Sequence, residues 1–167
     1  MQDFLAARVT GFLLSRERKI NNMTKIYLAA PFFNKYEKKI MMRVLKVLRA
    51  SGYEVFAPFE LIVDNAWEMP NDEWGKKVFN ADIDHLLDAD IVVAINYGLY
   101  SDSGTAFEVG VAFAKCKPIY TVNFEGFTDS LMIDNAINGM ISFDYFRKND
   151  RIDLEKFNDK KIYNEQK

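Results

Sequence analysis

Three acidic residues stand where carboxylate chemistry could be done. Glu108 lies in Asp102-Ser-Gly-Thr-Ala-Phe-Glu108-Val-Gly110, shortly after the apolar run Ile91-Val-Val-Ala-Ile95. Ser103-Gly104-Thr105 reads as a turn with helix-capping chemistry. Ala106, Phe107, Val109, Val111, Ala112, Phe113 and Ala114 then predict a helix over 106–115. Glu108 interrupts that apolar face about one turn in. The helix dipole favours its anion and burial opposes it, so its proton affinity is open to tuning. A plainer alternative leaves Glu108 solvated and paired with Lys115 or Lys117. Asp82 precedes the strand in a helical segment and Asp102 follows it in a loop, so both belong to elements flanking one strand. Carboxyls sharing a half-buried cleft push each other's pKa values apart, leaving one as an ionised nucleophile and another as a proton donor. That division of labour suits cleavage of a glycosidic bond through an oxocarbenium-like transition state. Hard-cation sites gather several oxygens at short spacing, and no such loop is present, so no metal is expected. Asp84, Asp88 and Asp90 read as solvent-facing or capping residues.

The elements that must position these groups alternate along the chain. Lys25–Ala30 reads as a buried strand broken by Pro31, and Tyr36–Ser51 as a helix with an apolar stripe at Ile40, Met41, Val44, Leu45, Val47 and Leu48. A second strand spans Tyr53–Ala57 and is stopped by Pro58. The irregular stretch 59–71, carrying Trp67 and Pro70, reads as a loop covering a site. Glu73–Asp88 reads as a helix, Asp90–Ile95 as the third strand and Pro118–Asn123 as the fourth. Strand–helix alternation with short connections predicts an α/β fold: one domain, with a Rossmann-like or flavodoxin-like parallel sheet flanked by helices. Ligands in such sheets bind outside the carboxyl ends of the strands, where the Asp102–Glu108 segment would lie. No Gly-x-Gly-x-x-Gly follows the first strand and no Walker motif occurs, which disfavours a glycine-cradled dinucleotide or triphosphate.

Composition narrows the partners. The 167 residues carry 22 Lys and Arg against 24 Asp and Glu, a net charge of −2 with no basic field for a nucleic-acid polymer. With 49% apolar and 28% charged residues, the chain reads as a soluble globular domain. No run reaches the roughly 20 apolar residues of a membrane span. The single Cys116 allows no intramolecular disulfide and reads as a packed thiol, and the lone His85 as a helix-surface or packing residue. Residues 1–22 place their charges after an apolar stretch, the reverse of a secretory signal. They read as an N-terminal extension ahead of Met23, residues 23–145 as the functional domain, and 146–167 as a polar C-terminal segment.

Lys25-Ile-Tyr27-Leu-Ala-Ala-Pro-Phe-Phe33, Asn80-Ala-Asp82, Asp102-Ser-Gly-Thr-Ala-Phe-Glu108-Val-Gly and Leu131-Met132 occur in the order of the nucleoside 2-deoxyribosyltransferase family. Over roughly residues 23–145 the chain resembles that family, and the Asp-Ser-Gly-Thr-Ala-x-Glu-x-Gly block is its most specific part. The resemblance implies that Glu108 is the nucleophile forming a covalent deoxyribosyl ester and that Tyr27 orients it. Asp82 would protonate the leaving base, and Asp102 would help hold the substrate. Phe33 would line the base pocket, with Gly104 among the substrate-binding positions. Ser130 and Met132 would reach into an adjacent subunit's site, making the active form a homo-oligomer. The implied activity is a cytoplasmic transfer of 2-deoxyribose between free nucleobases, starting from 2'-deoxynucleosides and needing no cofactor.

Two positions depart from the family's pattern. Ser130 stands where Asn is common, and Ile62 stands where an amide often contacts the base. Related enzymes of the same fold hydrolyse 2'-deoxynucleoside 5'-monophosphates, binding phosphate through hydroxyl and backbone donors, and Ser101, Ser103 and Ser130 are compatible with that activity. A nucleotide-sensing domain without turnover is the non-enzymatic alternative, against which the intact Tyr27, Asp82, Asp102 and Glu108 set stands.

Overall fold

The computed structural model describes residues 23–127 and 130–158. Residues 1–22, 128–129 and the end of the polar tail, 159–167, lie outside it. Five strands, β1 (Lys25–Ala29), β2 (Glu54–Phe56), β3 (Ile91–Asn96), β4 (Ile119–Asn123) and β5 (Gly139–Ser142), form one sheet ordered β2-β1-β3-β4-β5. Every pairing is parallel, and Tyr27 sits between Phe56 on β2 and Val92 on β3. The chain order reverses direction at β1 and β3, the crevice that this topology opens for ligands.

Helices cover both faces of the sheet. On one side lies α1 (Lys35–Ala50), whose Ile40, Met41, Val44, Leu45, Val47 and Leu48 are all buried, as their spacing requires. Its start is fixed by Asn34, which accepts from the Tyr36 and Glu37 backbones while Glu37 reaches back in a capping box. On the other side lie α2 (Asn71–Asp88), α3 (Ser103–Ala114) and α4 (Leu131–Ala136). Alternation along β1 divides the core accordingly. Ile26 and Leu28 join the α1 cluster, while Tyr27 and Ala29 join Leu86, Val109, Ala112 and Ala136 on the opposite face.

Three features depart from the sequence expectations. Helix α3 begins at Ser103 rather than Ala106, because the Asp102 side chain accepts from the Thr105 backbone N–H and so caps the helix three residues earlier. The short β5 and α4 fall in a stretch whose periodicity gave no sign of them. Beyond them, α5 (Phe143–Lys148) and a 3-10 turn at Leu154–Phe157 bring Phe146, Ile152 and Leu154 into the α1-side core. The polar composition of 146–158 therefore conceals three core residues. Gly139 shows how closely this segment packs, since a Cβ there would fall 1.8 Å from the Phe157 carbonyl oxygen. Among the described residues no helix is long and apolar enough to cross a membrane.

Candidate functional site

Tyr27 and Glu108, 81 residues apart, meet beneath α2 and α3. The fully buried Tyr27 hydroxyl donates to Glu108 Oε1 at 2.5 Å. A bond that short is typical of a charge-assisted O–H···O⁻ pair. Burial pushes the Glu108 carboxyl from 4.5 up to about 7, the Tyr27 bond pulls it down, and the charges of Asp82 and Asp102 raise it further. Desolvation and the facing Glu108 carboxylate drive the Tyr27 phenol far up, so it stays a donor at any working pH. The alternative pairing of Glu108 with Lys117 does not occur. Lys117 Nζ donates instead to the Leu87 and Ala89 carbonyls, at 2.8 and 2.5 Å, and closes the end of α2.

Asp82 approaches from α2. Its Oδ1 is buried without a hydrogen-bond partner, and burial raises its pKa, with His85 acting in the opposite direction. A carboxyl in that condition is poised to hold a proton. Asp102 sits at the α3 N-cap, its Oδ2 2.9 Å from the Thr105 backbone nitrogen. Gly104 makes this possible, because a Cβ there would lie 2.8 Å from Asp102 Oδ2. The preceding turn is tied in place by Ser101, whose hydroxyl donates to Asn96 Oδ1 at 2.8 Å and accepts from the Tyr97 N–H at 2.7 Å. Asn96 also accepts from the Gly98 N–H, so the end of β3 holds the whole approach to Asp102.

Phe33, exposed on the loop after β1, stacks on Phe32, which in turn meets Phe59. Ile62 is also exposed, on the loop that follows β2. Ser130 and Met132 line a groove of about 510 Å³ with Ala106, Val109, Gly110 and Phe113. Those α3 residues follow i, i+3, i+4, i+7 spacing, so Glu108 projects from the other side of the helix. Within one chain the structure thus brings together Tyr27, Asp82, Asp102 and Glu108, with Gly104 seating Asp102, and leaves Ser130 and Met132 apart.

Sequence reasoning missed a stack of rings behind the site. His85 lies 3.7 Å from Phe56, nearly parallel, and Phe56 stacks on Tyr27 at 5.7 Å. The signal was the three-residue spacing of Asp82 and His85, which puts both on one face of α2. Among the described residues no three His, Cys, Asp or Glu side chains converge as metal ligands.

Comparison with known proteins fits this arrangement. A family model described as nucleoside 2-deoxyribosyltransferase matches residues 26–144. The chain is similar to a 2-deoxyribosyltransferase from the psychrotolerant bacterium Bacillus psychrosaccharolyticus, at 32% identity and a TM-score of 0.68, covering 80% of this chain and 95% of that one. A conserved protein from Enterococcus faecalis V583 aligns at 29% identity and a TM-score of 0.54, over 63% of this chain and 66% of its own. A CMP N-glycosidase from Clostridium botulinum aligns at 26% identity and a TM-score of 0.53, over 75% of this chain and 96% of its own. No curated protein sequence matched.

Proposed function

The chain belongs to the nucleoside 2-deoxyribosyltransferase family, and from that premise we propose that it moves 2-deoxyribose from one nucleobase to another by double displacement. The observation that carries this reading is the 2.5 Å bond from Tyr27 to Glu108 in a site where Asp82 and Asp102 also act on that carboxylate. Tyr27 occupies one Glu108 oxygen and leaves the other for the anomeric carbon C1'. In the first half-reaction that oxygen attacks C1', the N-glycosidic bond breaks, and Asp82 gives its proton to the leaving base. The product is a glycosyl ester on Glu108. In the second, a ring nitrogen of another base attacks C1' as Asp82 takes back a proton, and the ester bond breaks to restore Glu108. Asp102 and Gly104 would hold the sugar side of the substrate, and Phe33 would stack on the base. Ser130 and Met132, turned away from their own Glu108, would complete the pocket of a neighbouring copy in a homo-oligomer.

Thymidine incubated with adenine tests the reading. Deoxyadenosine and thymine are the expected products, and free deoxyribose formed at the same rate with and without adenine would refute transfer.

A second reading, hydrolysis of nucleoside 5'-monophosphates, is favoured by one finding, the similarity to the CMP N-glycosidase. Against it stands the charge of the site. Residues 97–110 hold Asp102 and Glu108 but no Arg or Lys to receive a phosphate dianion. Thymidine is therefore expected to turn over faster than thymidine 5'-monophosphate at equal concentration. Faster thymine release from the monophosphate, indifferent to adenine, would establish the hydrolase.

A further inference from the structure

On the α1 side of the sheet, beyond the ends of β4 and β5, lies a cavity of about 770 Å³ that the proposed reaction does not use. This is within the roughly 300–1,000 Å³ range of small-molecule sites. Its walls combine rings and cations. Tyr36, Lys39, Ile40 and Arg43 project from one face of α1 at i, i+3, i+4, i+7 spacing, and Arg147 faces them from α5. The floor is the Phe124 ring, stacked on Tyr97 at 4.8 Å and 4° from parallel, with Phe127 edge-on at 6.0 Å. Tyr36 and Phe127 keep ring surface exposed, at 65% and 41%.

The cations are not equivalent. Arg43 is committed to the fold, donating to the Phe146 and Asn149 carbonyls and to Asp150. Among the described residues Arg147 pairs only with its helical neighbour Asp144, itself on the cavity wall, which Lys148 also approaches, at 3.1 and 3.6 Å. Lys39 has no ion pair among the described residues. Lys39 and Arg147 can thus turn to an anion without dismantling the core, while the exposed rings offer stacking to a flat heterocycle. Glu125, also on the wall, can accept from a sugar hydroxyl or a ring amino group.

We propose that this cavity is a second binding site, separate from Glu108, for a nucleoside 5'-monophosphate, with the phosphate on Lys39 and Arg147 and the base against Tyr36 and Phe127. It would read the phosphorylated counterpart of the proposed substrate where the carboxylate-lined site repels that charge. The floor of the cavity also touches the other site's support, since Tyr97 is held by Ser101, next to Asp102.

Calorimetric titration of the full chain with thymidine 5'-monophosphate, thymidine and inorganic phosphate tests the proposal. The nucleotide is expected to bind in the presence of saturating thymidine and to bind Glu108→Ala unchanged. Lys39→Ala with Arg147→Ala should weaken it about tenfold or more, and Phe127→Ala by a smaller factor. Both cations are exposed, and matching melting curves will establish that the double variant is folded. Nucleotide affinity unmoved by the double variant, or nucleotide displaced by thymidine, would overturn the proposal. So would inorganic phosphate binding as tightly as the nucleotide, because the rings would then contribute nothing. These readouts do not depend on base exchange, so failure here and failure of the transferase reading remain distinct.

Discussion

Replacing Glu108 by Gln should make the protein more stable and inactive at once, and the gain should depend on pH. Glutamine copies the shape of the neutral carboxyl and keeps an oxygen to accept from Tyr27. In the wild type, burial holds the carboxyl at about 7 against 4.5. The folded state therefore binds this proton more tightly than the unfolded chain. The penalty for ionising the group is absent below about pH 4, grows as pH rises, and is complete above about pH 8, where it reaches about 3 kcal/mol. At pH 5 it is still only about 1 kcal/mol, by the same linkage. Glu108→Gln should accordingly melt about 8 °C above wild type at pH 8, with most of that advantage gone at pH 5. Thermal denaturation of both proteins at the two pH values, followed by circular dichroism, measures the difference. An advantage equal at both pH values, or absent at pH 8, would refute the argument that burial outweighs the Tyr27 bond. Base exchange supplies an independent check. With an ionised nucleophile, wild-type kcat/KM should climb on its acidic limb toward a midpoint near 7, as a property of the coupled Glu108–Asp82 pair.

Tyr27→Phe removes the donor but leaves the ring on Phe56, so exchange should fall roughly 10- to 100-fold and the acidic limb should move upward, because the bond that lowers the Glu108 pKa is gone. An unmoved limb in the pH–rate profile would deny Tyr27 that role. Asp82→Asn should depress exchange of ordinary bases by about 100-fold or more and spare nucleosides whose base departs without a proton, which parallel kinetics on both substrate types would show. Gly104→Ala forces a Cβ against Asp102 Oδ2 and should cost about 1 kcal/mol of stability with a larger loss in kcat/KM; chemical denaturation beside steady-state kinetics separates the two effects. Phe146→Ala, in the stretch that reads as polar tail, should destabilise by about 3–5 kcal/mol in urea unfolding, and a loss below 1 kcal/mol would place that helix outside the cooperative core.

Glu108 was legible as a candidate because it violates a local pattern. It interrupts an otherwise apolar helix, whereas Tyr27, a good strand former, is singled out only by the family resemblance; the fold joins the two through one hydrogen bond. Elements with strong period also read through, which is why the first four strands and α1 to α3 fall within a few residues of expectation. What failed to read was short or non-local. Four residues of β5, with Gly139 first, carry no alternation of their own; the strand exists because β4 pairs with it and Phe157 packs over its start. Phe146, Ile152 and Leu154 are scattered among charges, and only tertiary packing gathers them against α1.

Helix α3 shows how far a single element can carry two demands. One face gives Glu108 to Tyr27, and the other lines the groove shared with Ser130 and Met132. Met132, on the groove wall, is 81% exposed and the adjoining Leu131 79%, so among the described residues little of the chain covers this apolar rim. A monomer gains nothing from such a rim. If a second copy covers it, Glu108 is held rigid by the packing that brings the neighbour's Met132 and Ser130 into place, and assembly becomes a condition of catalysis. Light scattering at assay concentration, on wild type and on Leu131→Asp, measures this directly. Wild type should be an oligomer, and the variant should lose mass and activity together. A fully active monomer would show that the rim serves no site and that each chain's pocket is complete without its neighbour.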